Sequence, residues 1–272
     1  MIEFLDQYIS SEASAEGKIN RLREALQLVC LKALQDGGYF TRIAFVGGTA
    51  LRILYDMKRF SEDLDFSVTE KNGYDFSKLI ADTGRSLALS GLEAEPKTRI
   101  ENTVQVSMLR FPGLLNRLGL PAPEGQKLSI KVEVDSDPPP GWQAEDTVVN
   151  KIFLIIIRLF SIPSLFATKL HACFFRKYVK GRDYYDLLWY LGKNVRPNYE
   201  LLNSAIRQTQ GIDMKLSEST IKDFLLEKLD KVDFGLVKSD VERFLEDKGE
   251  VRLLEKGVIA KSIERVFGNE RR

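Results

Sequence analysis

The sequence predicts an α+β protein, a β-rich segment with flanking helices followed by an all-helical region. Three observations carry this. Runs such as "DLDFSV" (63–68) and "KLSIKVEVD" (127–135) alternate polar and apolar residues with the period of half-buried strands. Helical spacing of apolar residues appears beside them, as in Leu22, Leu26, Val29, Cys30 and Ala33. Beyond Pro163 the strand pattern stops and only helical segments follow.

In order along the chain, an amphipathic helix is expected from about Ala15 to Gln35, ended by Gly37 and Gly38. "RIAFV" (42–46) reads as a short strand closed by Gly47-Gly48. Leu51, Leu54 and Tyr55 then form an apolar stripe, predicting a helix from Thr49 to Asp56 whose N-terminus faces the glycine turn. After the strand at 63–68 a helix spans Tyr74 to Leu89. Strands follow at "TVQVSMLRF" (103–111) and 127–135, separated by a Gly- and Pro-rich loop from Pro112 to Gln126. "DSDPPPGW" is a sharp break. The segment "TVVNKIFLIIIRLFSI" (147–162) reads equally as one bent strand or as a hairpin. Helices are predicted at Pro163–Phe175, Asp183–Leu191 and Pro197–Gln208, with three more segments up to Phe267. This places an α/β domain at 1–162 and a helical domain at 163–272.

Composition limits the function classes. With 272 residues, 44% hydrophobic and 29% charged, the chain has the make-up of a soluble globular protein. A formal net charge of +1 leaves any nucleic-acid surface to a local patch. Cys30 and Cys173 stand far apart among apolar neighbours, which points to buried thiols in a reducing cytoplasm rather than to a disulfide framework. The opening MIEFLDQ has no signal-peptide pattern. The longest apolar run, Ile152 to Phe160, is broken by Arg158 and falls far below the ~20 residues of a membrane helix. No membrane partner is expected.

The stretch "FVGGTALRILYDMKRFSEDLDFSV" (45–68) carries the chemistry. Glycines at a helix start allow close approach of a ligand, and the free N–H groups and dipole there favour phosphate. Asp63 and Asp65, one residue apart on a strand, point to the same face. Such a pair is costly unless a cation neutralises it, and a hard, oxygen-seeking Mg2+ (or Mn2+) suits that need and arrives with nucleotide phosphates. The plainer reading is a glycine turn beside a solvated acidic strand.

Gly47-Gly48-Thr49 followed, after thirteen residues, by Asp63-Leu64-Asp65-Phe66 resembles the signature of the DNA polymerase β-like nucleotidyltransferase superfamily. That resemblance implies a nucleotidyltransferase (polymerase β-like) mixed sheet with flanking helices, and a third carboxylate from a later strand. In "IKVEVD", Lys131, Glu133 and Asp135 share one face, so Glu133 or Asp135 is the candidate. Further on, "IPSLFATKLHACFFRKYVKGRDYYDLLWYL" (162–191) resembles the late motifs of the AbiEii/AbiGii-type nucleotidyltransferase toxins. Lys169, Ala172, Arg182, Asp183, Asp186 and Leu187 occupy the motif positions. One place departs. Such toxins often carry an acid a few residues before the helical lysine, where this chain has Ser164 and Thr168.

The resemblance implies metal binding by Asp63, Asp65 and Glu133, and nucleotide binding by Gly47, Gly48, Thr49, Ser61 and Lys131. It implies that the helical domain contributes Lys169 as the cation for the triphosphate or transition state. Asp183 would be the positioning group or base for an acceptor hydroxyl. The plainer readings are a solvated lysine at 169, an N-cap at Asp183 and dipole compensation by Asp186.

The implied partners are a nucleoside triphosphate, an RNA acceptor such as the 3′ end of tRNA, and a cognate antitoxin, in a toxin–antitoxin or phage-defence pair. Transfer to a small aminoglycoside-like acceptor, and a non-catalytic nucleotide-binding regulator, are the competing readings. The basic cluster Arg176, Lys177, Lys180 and Arg182, interleaved with Tyr178, Tyr184 and Tyr185, favours an anionic acceptor or is an ordinary solvated turn. His171, the single histidine, is expected against the core or a pocket rim, which excludes a zinc site built on paired histidines. A phosphoryl group on Ser61 would add about −1.5 to −2 charges beside the carboxylates, held by Lys58 and Arg59, and would silence the enzyme; otherwise Ser61 is a loop hydroxyl. The helices beyond Pro197 are expected to pack and bind partners without supplying catalytic groups.

Overall fold

The computed structural model describes residues 1–121 and 127–268. It divides into two compact units. The first comprises Met1–Tyr55, Phe60–Pro138 and Glu145–Leu159; the second comprises Asp56–Arg59, Pro139–Ala144 and Phe160–Arg272.

The first unit opens with helices α1 (Ile2–Ile9) and α2 (Ala15–Asp36). Ser14 caps α2 by accepting the Gly17 N–H, and the buried stripe runs from Leu22 to Leu34. Strand β1 (Ile43–Val46) leads directly into α3 (Gly47–Tyr55), so the two glycines belong to the first turn of the helix rather than to a separate turn before it. Then come β2 (Asp63–Val68), α4 (Phe76–Leu89), β3 (Glu95–Arg99), β4 (Val104–Phe111), the short helix α5 (Leu114–Arg117) and β5 (Leu128–Asp135). The expected loop at 112–126 is thus interrupted by α5, and its part at 122–126 lies outside the described residues. The ambiguous segment resolves into two strands, β6 (Ala144–Asn150) and β7 (Leu154–Phe160). β3 and α1 carried no recognised pattern; every residue of β3 is exposed, so it shows no apolar alternation.

The strands form one mixed sheet in the order β3-β4-β5-β2-β1-β7-β6. β2 pairs antiparallel with β1 and parallel with β5, which makes β2 a central strand. Its apolar residues Leu64 and Phe66 are buried together with Val132 and Val134 of β5, while Asp63 and Asp65 occupy the opposite face. α2 packs against α4 and β5. A buried ion pair, Glu24 Oε2 to Arg52 Nε at 2.6 Å, joins α2 to α3, and the Arg52 guanidinium lies 4.7 Å from the Phe60 ring centroid.

In the second unit, α6 (Ile162–Phe175) packs on α7 (Gly181–Gly192) and α8 (Tyr199–Gln210); α7 also meets α10 (Phe234–Val241) and α11 (Lys256–Phe267), and α9 (Ile221–Leu229) packs on α11. All six helices expected after Pro163 are present. Ser164 and Thr168, at the departing positions, have structural partners. The Ser164 hydroxyl accepts the Gln143 N–H at 3.0 Å and an Asn198 amide hydrogen at 3.2 Å, and Thr168 donates to the Leu165 carbonyl at 2.8 Å.

Two glycines of α7 differ in what surrounds them. A Cβ on Gly181 would overlap the Val237 carbonyl of α10, whereas one on Gly192 would meet open space. Gly181→Ala should destabilise the protein by about 1–3 kcal/mol, and Gly192→Ala should leave stability unchanged or raise it by up to about 1 kcal/mol. Urea unfolding of the two variants checks both signs.

Candidate active site

In the first unit, Gly47 has φ +79°, a conformation open to glycine, and a Cβ there would collide with the Asp65 carboxylate. Gly47 is therefore required twice over, by the backbone and by the space its neighbour fills. Gly48 and Thr49 are buried in the first turn of α3, and the Thr49 hydroxyl donates to the Asp63 carbonyl, tying the helix start to β2. The amide groups of that turn form a helix N-terminus beside the Asp65 side chain.

The register of β2 and β5 sets Asp63 opposite Lys131 and Asp65 opposite Glu133. Lys131 Nζ lies 3.3 Å from Asp63 Oδ2 and 2.9 Å from Glu133 Oε2. Burial would lower the Lys131 pKa, but Asp63 and Glu133 outweigh it and leave it raised. Asp135, the other candidate third carboxylate, registers with Ser67, two residues further along. The register thus favours Glu133. Among the described residues no three His, Cys, Asp or Glu side chains converge to grip one ion. Three carboxylates on one face of adjacent strands are nevertheless the hard donor type a divalent cation takes, and Lys131 supplies the compensating charge in the arrangement seen. The donors fit.

Ser61 is half-buried, and its carbonyl accepts the Gln27 amide at 3.1 Å. The expectation that Arg59 would hold a phosphoryl group on Ser61 is not met. Arg59 belongs to the second unit, is 2% exposed, and binds Asp186 through Nε at 2.5 Å and Nη2 at 2.6 Å.

The second unit gathers a buried ionic network around the late motifs. Lys169 Nζ lies 2.8 Å from Asp183 Oδ1 and 2.7 Å from Asp186 Oδ2. Arg176 Nη1 completes it, 2.7 Å from Asp183 Oδ2. Burial alone would lower the Lys169 pKa, yet Asp183 and Asp186 reverse the direction and hold the ammonium charged. Burial alone would raise Asp183, yet Lys169 and then Arg176 pull it below its ordinary value. Asp183 is therefore a permanent anion near neutrality, which suits positioning better than proton abstraction. Nor is it an N-cap: Lys180 occupies that place and Asp183 lies in the first turn of α7. Lys169 is not a solvated lysine, and Asp186 is fully buried rather than a surface dipole partner.

The basic, aromatic stretch does not form one binding face. Arg176 is committed to Asp183, and the Arg182 guanidinium lies 4.0 Å from the Phe244 ring centroid. Tyr184 is buried and donates to the Cys173 carbonyl at 2.9 Å; Tyr185 donates to Glu250 at 2.6 Å. Tyr178 alone of the three tyrosines is largely exposed. His171 stacks on Phe175 and pairs with the Thr209 hydroxyl at 2.7 Å; burial, then Arg176, lowers its pKa. Cys30 and Cys173 are buried free thiols, with burial pushing Cys30 up to about 12.

The family model described as the nucleotidyl transferase AbiEii toxin of type IV toxin–antitoxin systems matches residues 29–267. The chain belongs to this family. The protein is a nucleotidyltransferase, and the mixed sheet with its helical C-terminal region is the fold expected of one. Among solved structures, JHP933 from Helicobacter pylori is 23% identical with a TM-score of 0.55, over 90% of this chain and 92% of that one. A second protein of H. pylori, whose given name proposes a nucleotidyltransferase, is 22% identical with a TM-score of 0.55, over 92% and 96%. These likenesses concern the fold. No curated protein matches the chain. Among the described residues no helix is long and apolar enough to cross a membrane.

The network's charges set the pH behaviour of the AbiEii-family chain. Because Asp183 is depressed in the folded state, its contribution is present above its ordinary value of 3.8 and is lost as pH falls through the lower folded value. Because Lys169 is raised, its contribution is present below 10.5 and is lost as pH rises through the higher folded value. Stability measured across pH should therefore decline at both limits, and Lys169→Met should remove the alkaline decline attributable to this group. Asp186→Ala strands Lys169 and Arg59 and should cost about 3–5 kcal/mol, read by urea unfolding.

Proposed function

We propose that this enzyme transfers a nucleoside monophosphate from a nucleoside triphosphate to a hydroxyl of an RNA acceptor, with the 3′ end of tRNA as the leading candidate. In this reading the acceptor oxygen attacks the α-phosphorus and pyrophosphate leaves. The observation that carries it is the carboxylate face of β2 and β5 beside the glycine-opened start of α3, a helix N-terminus of the kind that takes phosphate, next to Asp65. Asp63, Asp65 and Glu133 would hold a divalent ion, Mg2+ or Mn2+, which when bound supplies Lewis-acid stabilisation of phosphoryl charge.

The chain's own groups do the rest. Gly47, Gly48 and Thr49 orient the phosphates at the helix start, with Ser61 at the approach to β2. Lys131 balances the charge of Asp63 and Glu133 and, partly exposed, would be open to a nucleotide phosphate. Lys169 uses two of its three N–H donors on Asp183 and Asp186, which leaves one for a phosphoryl oxygen and keeps it charged. Asp183 acts through Lys169 and Arg176 as a positioning residue. The enzyme would work in the cytoplasm as the toxin partnered by a cognate antitoxin. An aminoglycoside-like acceptor is cationic and would look for an acidic pocket, whereas the groups around the late motifs include more cations than carboxylates.

Incubating the protein with each labelled nucleoside triphosphate, magnesium and total RNA tests this directly. Label should enter a discrete RNA band, and Asp65→Asn, nearly isosteric, should abolish it while the melting temperature stays within the wild-type range. Full turnover by Asp65→Asn would remove the metal assignment.

Lys169→Ala should reduce transfer by ~100-fold or more in the same labelling assay. Rates close to wild type would reduce Lys169 to a structural cation.

A further inference from the structure

A cleft of about 690 Å³ lies in the second unit, between the connection from α6 to α7 and the α10 region; it takes Lys177 and Tyr178 from the basic, aromatic stretch and none of the residues assigned to metal, nucleotide or the buried ionic network. Lys177, Tyr178 and Val179 line one side; Leu236 and Arg243 line the other. Its size is that of a site for a nucleotide-sized ligand.

The local packing explains why this cleft stands open and positively charged. Gly181, lacking a Cβ, lets α7 touch the α10 backbone at Val237. The one carboxylate in the lining, Asp240, accepts the Gly181 N–H at 2.7 Å and so is turned to the start of α7. Lys177 and Arg243 form no ion pair with any described residue. The Arg243 guanidinium rests 4.6 Å from the Phe244 ring centroid, which orients it without neutralising it. Tyr178 is 67% exposed, with the Arg176 guanidinium 5.3 Å from its ring centroid, and Leu236 is 56% exposed. A large aromatic ring, an aliphatic surface and two unneutralised cations therefore share one open cleft.

A ligand that uses all of them combines an aromatic or apolar surface with more than one anionic group. A nucleotide within an unpaired strand has that chemistry: bases stack on aromatic faces irrespective of sequence, while cations follow the phosphates. A base inside a duplex has its faces occupied by its neighbours, so the cleft selects single strands.

We infer that this cleft seats a single-stranded segment of the acceptor RNA, with a base stacked on Tyr178 and flanking phosphates on Lys177 and Arg243. The inference rests on the reading of RNA as acceptor and locates where such an RNA docks. It also explains how a chain of net charge +1 holds a polyanion, since the charge that matters is local.

The test uses the full chain and a fluorescein-labelled single-stranded oligoribonucleotide, titrated by fluorescence anisotropy at several salt concentrations. Tyr178→Ala should weaken binding by at least ~5-fold, the lower range for loss of one stacked base. Lys177→Gln and Arg243→Gln should each reduce the slope of log affinity against log salt by about 0.7. The same RNA annealed to its complement should bind without dependence on Tyr178. All three side chains are at the surface of the cleft, so unchanged melting temperatures will show that the variants fold. Unchanged affinity and slope in all three variants would overturn the inference, as would an acidic peptide bound with the same dependence on Tyr178.

Label transfer separates this inference from the functional reading. If wild type labels RNA and Tyr178→Ala does so with the same kcat/KM for RNA, the cleft is not the docking site and the enzyme reading stands. If wild type labels no RNA, yet oligonucleotide binding depends on Tyr178, Lys177 and Arg243, the transfer reading falls and the binding site stands.

Discussion

Asp183 and Asp186 lie three residues apart on one face of α7, and both are buried. Removing each carboxylate from water costs several kcal/mol, and two so close repel one another, so α7 can carry them inward only if cations arrive from elsewhere. Those cations come from three separate places: Lys169 within α6, Arg176 at the end of α6, and Arg59 from the brief excursion at 56–59. Asp56–Arg59 accordingly group with the second unit, where Arg59 binds Asp186. The backbone secures the same segment, with an Arg59–Leu245 bridge and the Glu246 N–H donating to the Lys58 carbonyl at 3.3 Å. Three cations meet two carboxylates, and the surplus positive charge is useful to an enzyme of anionic substrates.

The carboxylate face of the first unit is organised differently. There the acids stand on parallel strands, β2 and β5, whose register alone places Asp65 beside Glu133 and Asp63 beside Lys131. Gly47 makes room for Asp65, and the Thr49 hydroxyl holds the helix start against β2. A helix N-terminus and an acidic pair so close together would normally satisfy one another. A helix N-terminus and carboxylates on one face are the donor and acceptor types that phosphate and a divalent ion respectively take.

Much of this was legible in the residues. The period of two in "DLDFSV" and "KLSIKVEVD" located β2 and β5 to within a residue, because burial alternates along all of β5 and along β2 from Asp63 to Phe66. Order and spacing grouped the glycine pair with the two aspartates, and the structure sets Gly47 against the Asp65 carboxylate. Other features had no local signature. β3 is exposed along its whole length and is held by backbone pairing with β4, so hydrophobic alternation could not mark it. Arg59 sits in "KRFSEDLD", where a basic residue reads as solvated; its burial follows from a carboxylate 127 positions away in sequence. Tyr184 and Tyr185 looked like stacking platforms beside the basic residues. Helical phase turns Tyr184 into the core and Tyr185 onto Glu250, and only the non-helical Tyr178 stays outside.

Two lysines illustrate how the same chemical group serves opposite ends. Lys131 and Lys169 each bridge two carboxylates at about salt-bridge distance, and each has a raised pKa for that reason. Lys131 side-chain exposure is 29%, against 11% for Lys169. Water reaches the first, so losing its partners costs little and another cation can take over its acids. The second is hemmed in by groups that would themselves be left charged and buried if it moved, since Asp183 and Asp186 depend on it as much as it depends on them. A cation open to water can be exchanged for another at little cost, whereas a cation enclosed by buried acids is fixed in place by them. Exposure, rather than residue type or the number of acidic neighbours, separates the two settings.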